Sequence, residues 1–206
     1  MDALLYWVGL AAVAVNALTG VLDSGRKQMD LIGALLVGMA TALGGGTVRD
    51  LLLDRHVFWV VDQTYLLVAF FTGFATFFIA RARAIPPRFF LVPDAVGLAL
   101  FTVAGTQVAL QWHAPWLVAS LMGVTTGVVG GVLRDILCND VPLVFLKGEL
   151  YASAAWLGAM GMIGLESIGC SSVFASWAAM IFIFTLRMLA LRYGLTLPAP
   201  KASSAP

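Results

Sequence analysis

Leu36-Val37-Gly38-Met39-Ala40-Thr41-Ala42-Leu43-Gly44-Gly45-Gly46-Thr47-Val48-Arg49-Asp50-Leu51-Leu52 decides how this chain is read, because it recurs 85 residues later. The second copy is Leu121-Met122-Gly123-Val124-Thr125-Thr126-Gly127-Val128-Val129-Gly130-Gly131-Val132-Leu133-Arg134-Asp135-Ile136-Leu137. Leu36, Gly38, Thr41, Gly45, Gly46, Arg49, Asp50 and Leu52 have identical partners, 8 of 17 positions without a gap. Chance agreement among Leu, Gly and Ala supplies some matches in an apolar chain. It does not supply Arg-Asp at the same distance from Gly-Gly. Downstream, Val57-Phe58-Trp59 and Tyr65 run loosely parallel to Pro142-Leu143-Val144-Phe145 and Tyr151.

Both copies close long apolar runs. Of 206 residues, 61% are hydrophobic and 11% charged, against about half and a quarter in soluble domains. Water cannot solvate such a surface, whereas lipid solvates it at no cost. About 20 apolar residues span the hydrocarbon core, and seven stretches qualify: 3–22, 30–48, 64–82, 91–110, 115–133, 148–166 and 171–192. The runs are continuous rather than alternating, which excludes a β-barrel. Short connections leave no room for a soluble domain. Met1-Asp2 opens the chain without a basic signal region, and residues 198–206, rich in Pro, Ala and Ser, read as a disordered tail. A net charge of +1 points to no nucleic-acid partner, and no soluble protein partner is expected.

The two copies end spans two and five, so three crossings separate them and equivalent residues approach from opposite faces. The expected fold is therefore an all-α membrane protein of seven transmembrane helices, a 3+3 inverted repeat plus a seventh helix. Its units are 1–86, 87–168 (inverted), 169–197 (the seventh helix) and the tail 198–206. Lys and Arg set the orientation. Arg26, Lys27, Arg81, Arg83, Arg88, Arg134, Lys147, Arg187, Arg192 and Lys201 fall on one side, and Arg49 and Arg55 on the other. The first side is cytoplasmic by this rule, which puts the N-terminus outside and the C-terminus inside.

Each glycine within a helix costs about 1 kcal/mol relative to alanine. Gly44-Gly45-Gly46, and Gly130-Gly131 following Val129, are therefore expected to kink or open their helices. Freed carbonyls are tolerated at membrane depth only where protein or water meets them, and carbonyls lining a wet path are cation ligands. Thr41, Thr47, Thr125 and Thr126 would add hydroxyls. The opposing reading is close packing, since small residues at four-residue spacing let helices approach. Arg49, Asp50, Arg134 and Asp135 read either as pathway or gating charges or as interfacial anchors. Asp30 and Asp94 stand at helix starts, where N-capping is the plain reading and a cation vestibule the sharper one.

Asp23, Asp54 and Asp140 read as interfacial charges, and Trp7, Trp59, Trp112, Trp116 and Trp156 as interface aromatics. Cys138 and Cys170 read as small buried residues. His56 and His113 lack a ligand cluster, so no metal and no cofactor is expected. HExxH, GxSxG and GxxxxGK[ST] are absent, and no enzyme is indicated.

Gly44–Leu53, Asp94-Ala95-Val96-Gly97-Leu98-Ala99-Leu100-Phe101, Gly130–Asp135, Pro142–Phe145 and Tyr151-Ala152 together resemble the bacterial branch of the trimeric intracellular cation (TRIC) channel family. That group also carries the name of a glycine-transporter domain. The resemblance covers about residues 3–190. It implies a homotrimer in the bacterial inner membrane with one pore per subunit, beside the second and fifth helices. The permeant ion would be K⁺, with Na⁺ also passing. The animal members' lysine-containing lipid motif is replaced here by Gly-Gly-Gly-Thr-Val-Arg, so phosphoinositide regulation is not implied. A small-solute carrier of the glycine type is the alternative, because inverted repeats suit alternating access equally.

Overall fold

The computed structural model describes residues 3–83, 86, 89–146 and 150–196. Their regular structure is helical: α1 (Ala3–Arg26), α2 (Leu31–Leu52), one-turn α3 (Phe58–Val61), α4 (Thr64–Ala82), α5 (Leu91–Gln111), α6 (Trp116–Leu137), a 3-10 turn (Leu143–Phe145), α7 (Tyr151–Ser167) and α8 (Ser172–Tyr193). Arg88, Lys147 and Lys201, used above for orientation, lie outside the described residues, as do the first residues of the expected span 148–166 and the tail from 198.

Six helices (α1, α2, α4, α5, α6 and α8) are long and apolar enough to cross a membrane. The sequence predicts a seventh. Its helix, α7, has 17 residues and so reaches about 25 Å, short of a core about 30 Å thick.

Helix ends follow from local chemistry. The Asp30 carboxylate accepts from Gly33 N at 2.7 Å and caps α2, and the Ser171 hydroxyl caps α8 by accepting from Phe174 N. Gly194, at φ 63°, ends α8 in the left-handed conformation glycine adopts without steric cost. Four non-glycine residues also adopt it: Gln28 (φ 55°), Asp54 (51°), His113 (59°) and Asn139 (54°). They form two pairs at the 85-residue offset, closing α1 and α5, and α2 and α6. The closing hydrogen bonds correspond as well. Arg55 N donates to Asp50 O at 3.0 Å and Asp140 N to Asp135 O at 2.8 Å. The sequence similarity is concentrated in one motif, whereas the backbone correspondence extends from the end of α1 to the turns after α2 and α6.

Two apolar clusters form the core. One gathers Leu10, Val13, Leu43, Tyr65 and Phe101; the other gathers Leu98, Val103, Val128, Met162 and Ile183. α2 packs on α1, α4 and α6, and α5 packs on α6 and α1. The Phe70, Phe71, Phe74 and Phe78 side chains of α4 point outward, as do Trp177 and Phe182 of α8, the arrangement a lipid environment favours.

Candidate functional site

The two copies of the repeated motif meet where α2 crosses α6. A Cβ on Gly45 would run into the carbonyl oxygen of Thr126, and a Cβ on Gly130 into that of Thr41. These contacts are the same one taken twice at the 85-residue offset, and they make the two helices antiparallel. Both helices continue as α-helix through their glycines. The expectation of opened helices with freed carbonyls is thus corrected. The glycines are spent on close backbone approach, which returns in packing what they cost in helix propensity. Gly44 faces the Leu133 side chain, Gly46 the Phe58 ring and Gly131 the Tyr151 hydroxyl.

The threonines are also occupied. Thr41 Oγ1 donates to Val37 O at 2.7 Å and Thr126 Oγ1 to Met122 O at 2.6 Å, both within buried turns. Thr47 Oγ1 donates to Leu43 O and accepts from Trp59 Nε1 at 2.9 Å. Of the ten residues expected to meet an ion, Thr41, Gly45, Gly46, Thr126, Gly130 and Gly131 are buried. Gly44, Thr47, Thr125 and Val129 are half-buried beside the crossing.

Each Arg-Asp pair is built the same way. Arg49 Nε donates to Asp50 Oδ1 at 2.8 Å, and Arg134 Nε to Asp135 Oδ1 at 2.8 Å. The second oxygen of each aspartate accepts from the backbone eight residues on, Phe58 N at 2.9 Å and Leu143 N at 2.8 Å. The aspartate therefore ties the end of its helix to the start of the next short turn while the arginine neutralises it. This common core makes the motif a structural clamp before anything else.

Beyond the clamp the two ends differ. Arg134 is fully buried; its Nη1 donates to Asp94 Oδ1 at 2.6 Å and its Nε lies 3.5 Å from Asp23 Oδ2. Tyr151 OH donates to the same Asp94 oxygen at 3.3 Å, and the Phe90 ring lies 5.0 Å from the guanidinium. Asp94 Oδ2 is buried without a donor among the described residues. Three carboxylates around one guanidinium hold its charge out of water, a burial that would otherwise cost several kcal/mol. Arg26, Lys27 and Asp140 continue the network outward, with Lys27 Nζ 2.7 Å from Asp140.

At the other end, Arg49 is also buried, and among the described residues it is ion-paired with Asp50 alone. Asp50 Oδ1 is shared with Arg55 Nε at 3.4 Å. Arg55 stacks on Trp112 at 5.4 Å. A cavity of about 120 Å³ opens here, lined among others by Gly9, Arg49, Arg55, Asp62, Tyr65 and Val108. Asp62 is fixed at its rim, accepting from Thr64 N at 2.9 Å. Hydrogen bonds from the Thr64 side chain and backbone hold its carboxyl below the usual carboxylate range.

Several sequence expectations change. Asp94 is not an N-cap: it lies inside the first turns of α5, which has no side-chain cap, and it pairs with Arg134. Asp23 is not an interfacial charge but a buried member of that cluster. Asp30 is the N-cap expected, exposed and apart from the cluster. Arg187 is fully buried, 4.8 Å from the Tyr151 ring, rather than a charge of the chain end. Cys138 is buried and Cys170 half-buried.

Three comparisons bear on these features. A family described as "Glycine transporter" matches residues 6–81 and 91–167, two stretches offset by the repeat distance and together covering most of the chain. The inner membrane protein YadS of Escherichia coli K12 is 41% identical over 200 residues, covering 95% of each chain. A TRIC channel orthologue from Rhodobacter sphaeroides superposes with a TM-score of 0.89 at 38% identity, covering 94% of this chain and 100% of that one. A prokaryotic TRIC channel crystallised in 0.5 M KCl gives 0.86 at 26% identity, covering 96% and 100%.

Proposed function

Because this chain belongs to the bacterial TRIC channel family, the group also described as glycine transporters, we propose that it is a passive, K⁺-permeable cation channel of the bacterial inner membrane. The observation that carries this reading is the antiparallel α2–α6 crossing, with the same glycine–carbonyl contact made twice and a buried arginine clamp at each end. An inverted 3+3 repeat, residues 1–86 and 87–168, accounts for that symmetry. α7 is the sixth span, tolerated despite its length by local thinning or tilt of neighbours, and α8, within 169–197, is the seventh. The N-terminus lies outside and the C-terminus inside.

The chain acts as a homotrimer with one pore per subunit, needing no cofactor. The path runs beside the crossing rather than through it. Gly44, Thr47, Thr125 and Val129 line it, because the remaining glycines and threonines are committed to helix contact. Asp94, with one oxygen unspent, offers a permeating K⁺ or Na⁺ a carboxylate at the inner end. Movement of α2 against α6 alters the path, and the Arg134 ion cluster holds the arrangement described here. Surrounding lipids are the other partner.

Reconstitution in planar bilayers tests the reading. Unitary K⁺ currents far above carrier turnover are expected. Saturable uptake of radiolabelled glycine into vesicles without unitary current would replace the channel by a glycine-type carrier, a reading favoured by the family description.

A further inference from the structure

The 85-residue offset gives each acid of the Arg134 cluster a counterpart at the Arg49 end; Asp135 is matched by Asp50, and the other two acids change. Asp94 corresponds to Gly9 and Asp23 to Val108. Both Gly9 and Val108 line the cavity beside Arg49. The surrounding pair inverts in character too. Lys27 bridged to Asp140 at one end corresponds to Trp112 stacked on Arg55 at the other. The chain thus keeps a buried guanidinium at both ends. It supplies three carboxylates to Arg134 and one to Arg49, and that one is shared with Arg55.

Arg49 uses Nε and Nη2 on Asp50, and its side chain lines the cavity together with Arg55. Asp50 is divided among three groups, Oδ1 meeting both arginines and Oδ2 accepting from Phe58 N. The cavity lies against Gly9 and Val108, the positions equivalent to Asp94 and Asp23. Its 120 Å³ holds roughly four waters at about 30 Å³ each, or a solute of three or four heavy atoms. Guanidinium recognises carboxylate by paired N–H donors.

We propose that this cavity is a binding site for a small monocarboxylate anion, which takes on Arg49 and Arg55 the place that Asp94 takes on Arg134. The bound anion adds to Asp50 a second carboxylate for Arg49 and Arg55, as Asp94 adds one to Asp135 for Arg134, while Asp62 at the rim is held by Thr64. The site's existence does not depend on whether the protein conducts or carries. With the channel reading, its occupancy neutralises the basic end of the path.

The test titrates acetate into the purified protein in detergent, read by saturation-transfer NMR on the acetate methyl, with methylammonium as the cationic control. Saturable acetate binding and no competing methylammonium binding are expected. Gly9→Asp and Val108→Asp build the missing carboxylate into the chain and should weaken acetate at least tenfold. Gly9→Asn and Val108→Asn, equal in size and neutral, should stay within about threefold of the parent. A Cβ on Gly9 meets the Tyr65 hydroxyl at 3.1 Å, so thermal unfolding accompanies each variant, and the Val108 pair decides if Gly9 variants fail to fold. Absence of saturable acetate binding to the parent, equal loss in Asp and Asn variants, or equal affinity for methylammonium would overturn the proposal.

Discussion

Replacing Gly45 or Gly130 by alanine separates two accounts of the glycines by sign. If they served to loosen the helices, alanine would stabilise each helix by about 1 kcal/mol. In the structure the added methyl meets a backbone carbonyl of the facing helix, Thr126 O or Thr41 O. Backbone cannot rotate away as a side-chain tip can, so α2 and α6 must part. Overpacking of this kind costs about 1–3 kcal/mol. Taking the upper value and subtracting the propensity gain leaves about 2 kcal/mol of net destabilisation, equivalent to about 4–8 °C in Tm for a chain of this size. Both substitutions act on one crossing, so Gly45→Ala/Gly130→Ala should cost less than the sum of its parts. Gly25→Ala and Gly161→Ala serve as controls, since a Cβ at either meets nothing within 4 Å; they should be neutral or stabilising by up to about 1 kcal/mol. Denaturing-detergent titration in mixed micelles followed by far-UV circular dichroism gives the free energies. Higher stability of Gly45→Ala and Gly130→Ala, matching the controls, would refute the packing account.

The charged residues give graded expectations. Asp94→Asn removes a buried partner of Arg134 and should destabilise by about 3 kcal/mol; the same titration reads it, and a loss below about 1 kcal/mol would mean Asp23 and Asp135 suffice alone. Asp30→Ala removes an exposed cap and should cost only about 1 kcal/mol, with the Asp94 variant clearly worse under identical conditions. A double-mutant cycle on Lys27 and Asp140, at the half-exposed rim of the same network, should return a coupling of about 0.2–1 kcal/mol that shrinks in 1 M salt. Trp59→Phe removes the indole N–H bond to Thr47 and should cost about 0.5–1.5 kcal/mol.

Hydropathy and duplication are properties of the chain itself. The apolar runs therefore determined that the protein is helical and membrane-embedded, and Gly-Gly-x-x-Arg-Asp at a fixed offset determined which segments correspond. The cap at Asp30 was legible for the same reason, because a cap and its helix start are neighbours in sequence. What the glycines do was not. Gly45 and Thr126 lie far apart in the chain, and a glycine that loosens a helix reads the same as one that admits another backbone. Only the crossing of α2 on α6 chose between them. The partners of Arg134 beyond Asp135 were hidden likewise, since Asp23 and Asp94 come from two other helices and Tyr151, from a third, donates to Asp94. The difference between the two ends, acids at 94 and 23 against Gly9 and Val108, is written in the sequence yet acquires meaning only in three dimensions. Burial turns each missing carboxylate into an electrostatic cost, and burial is decided by which helices pack together.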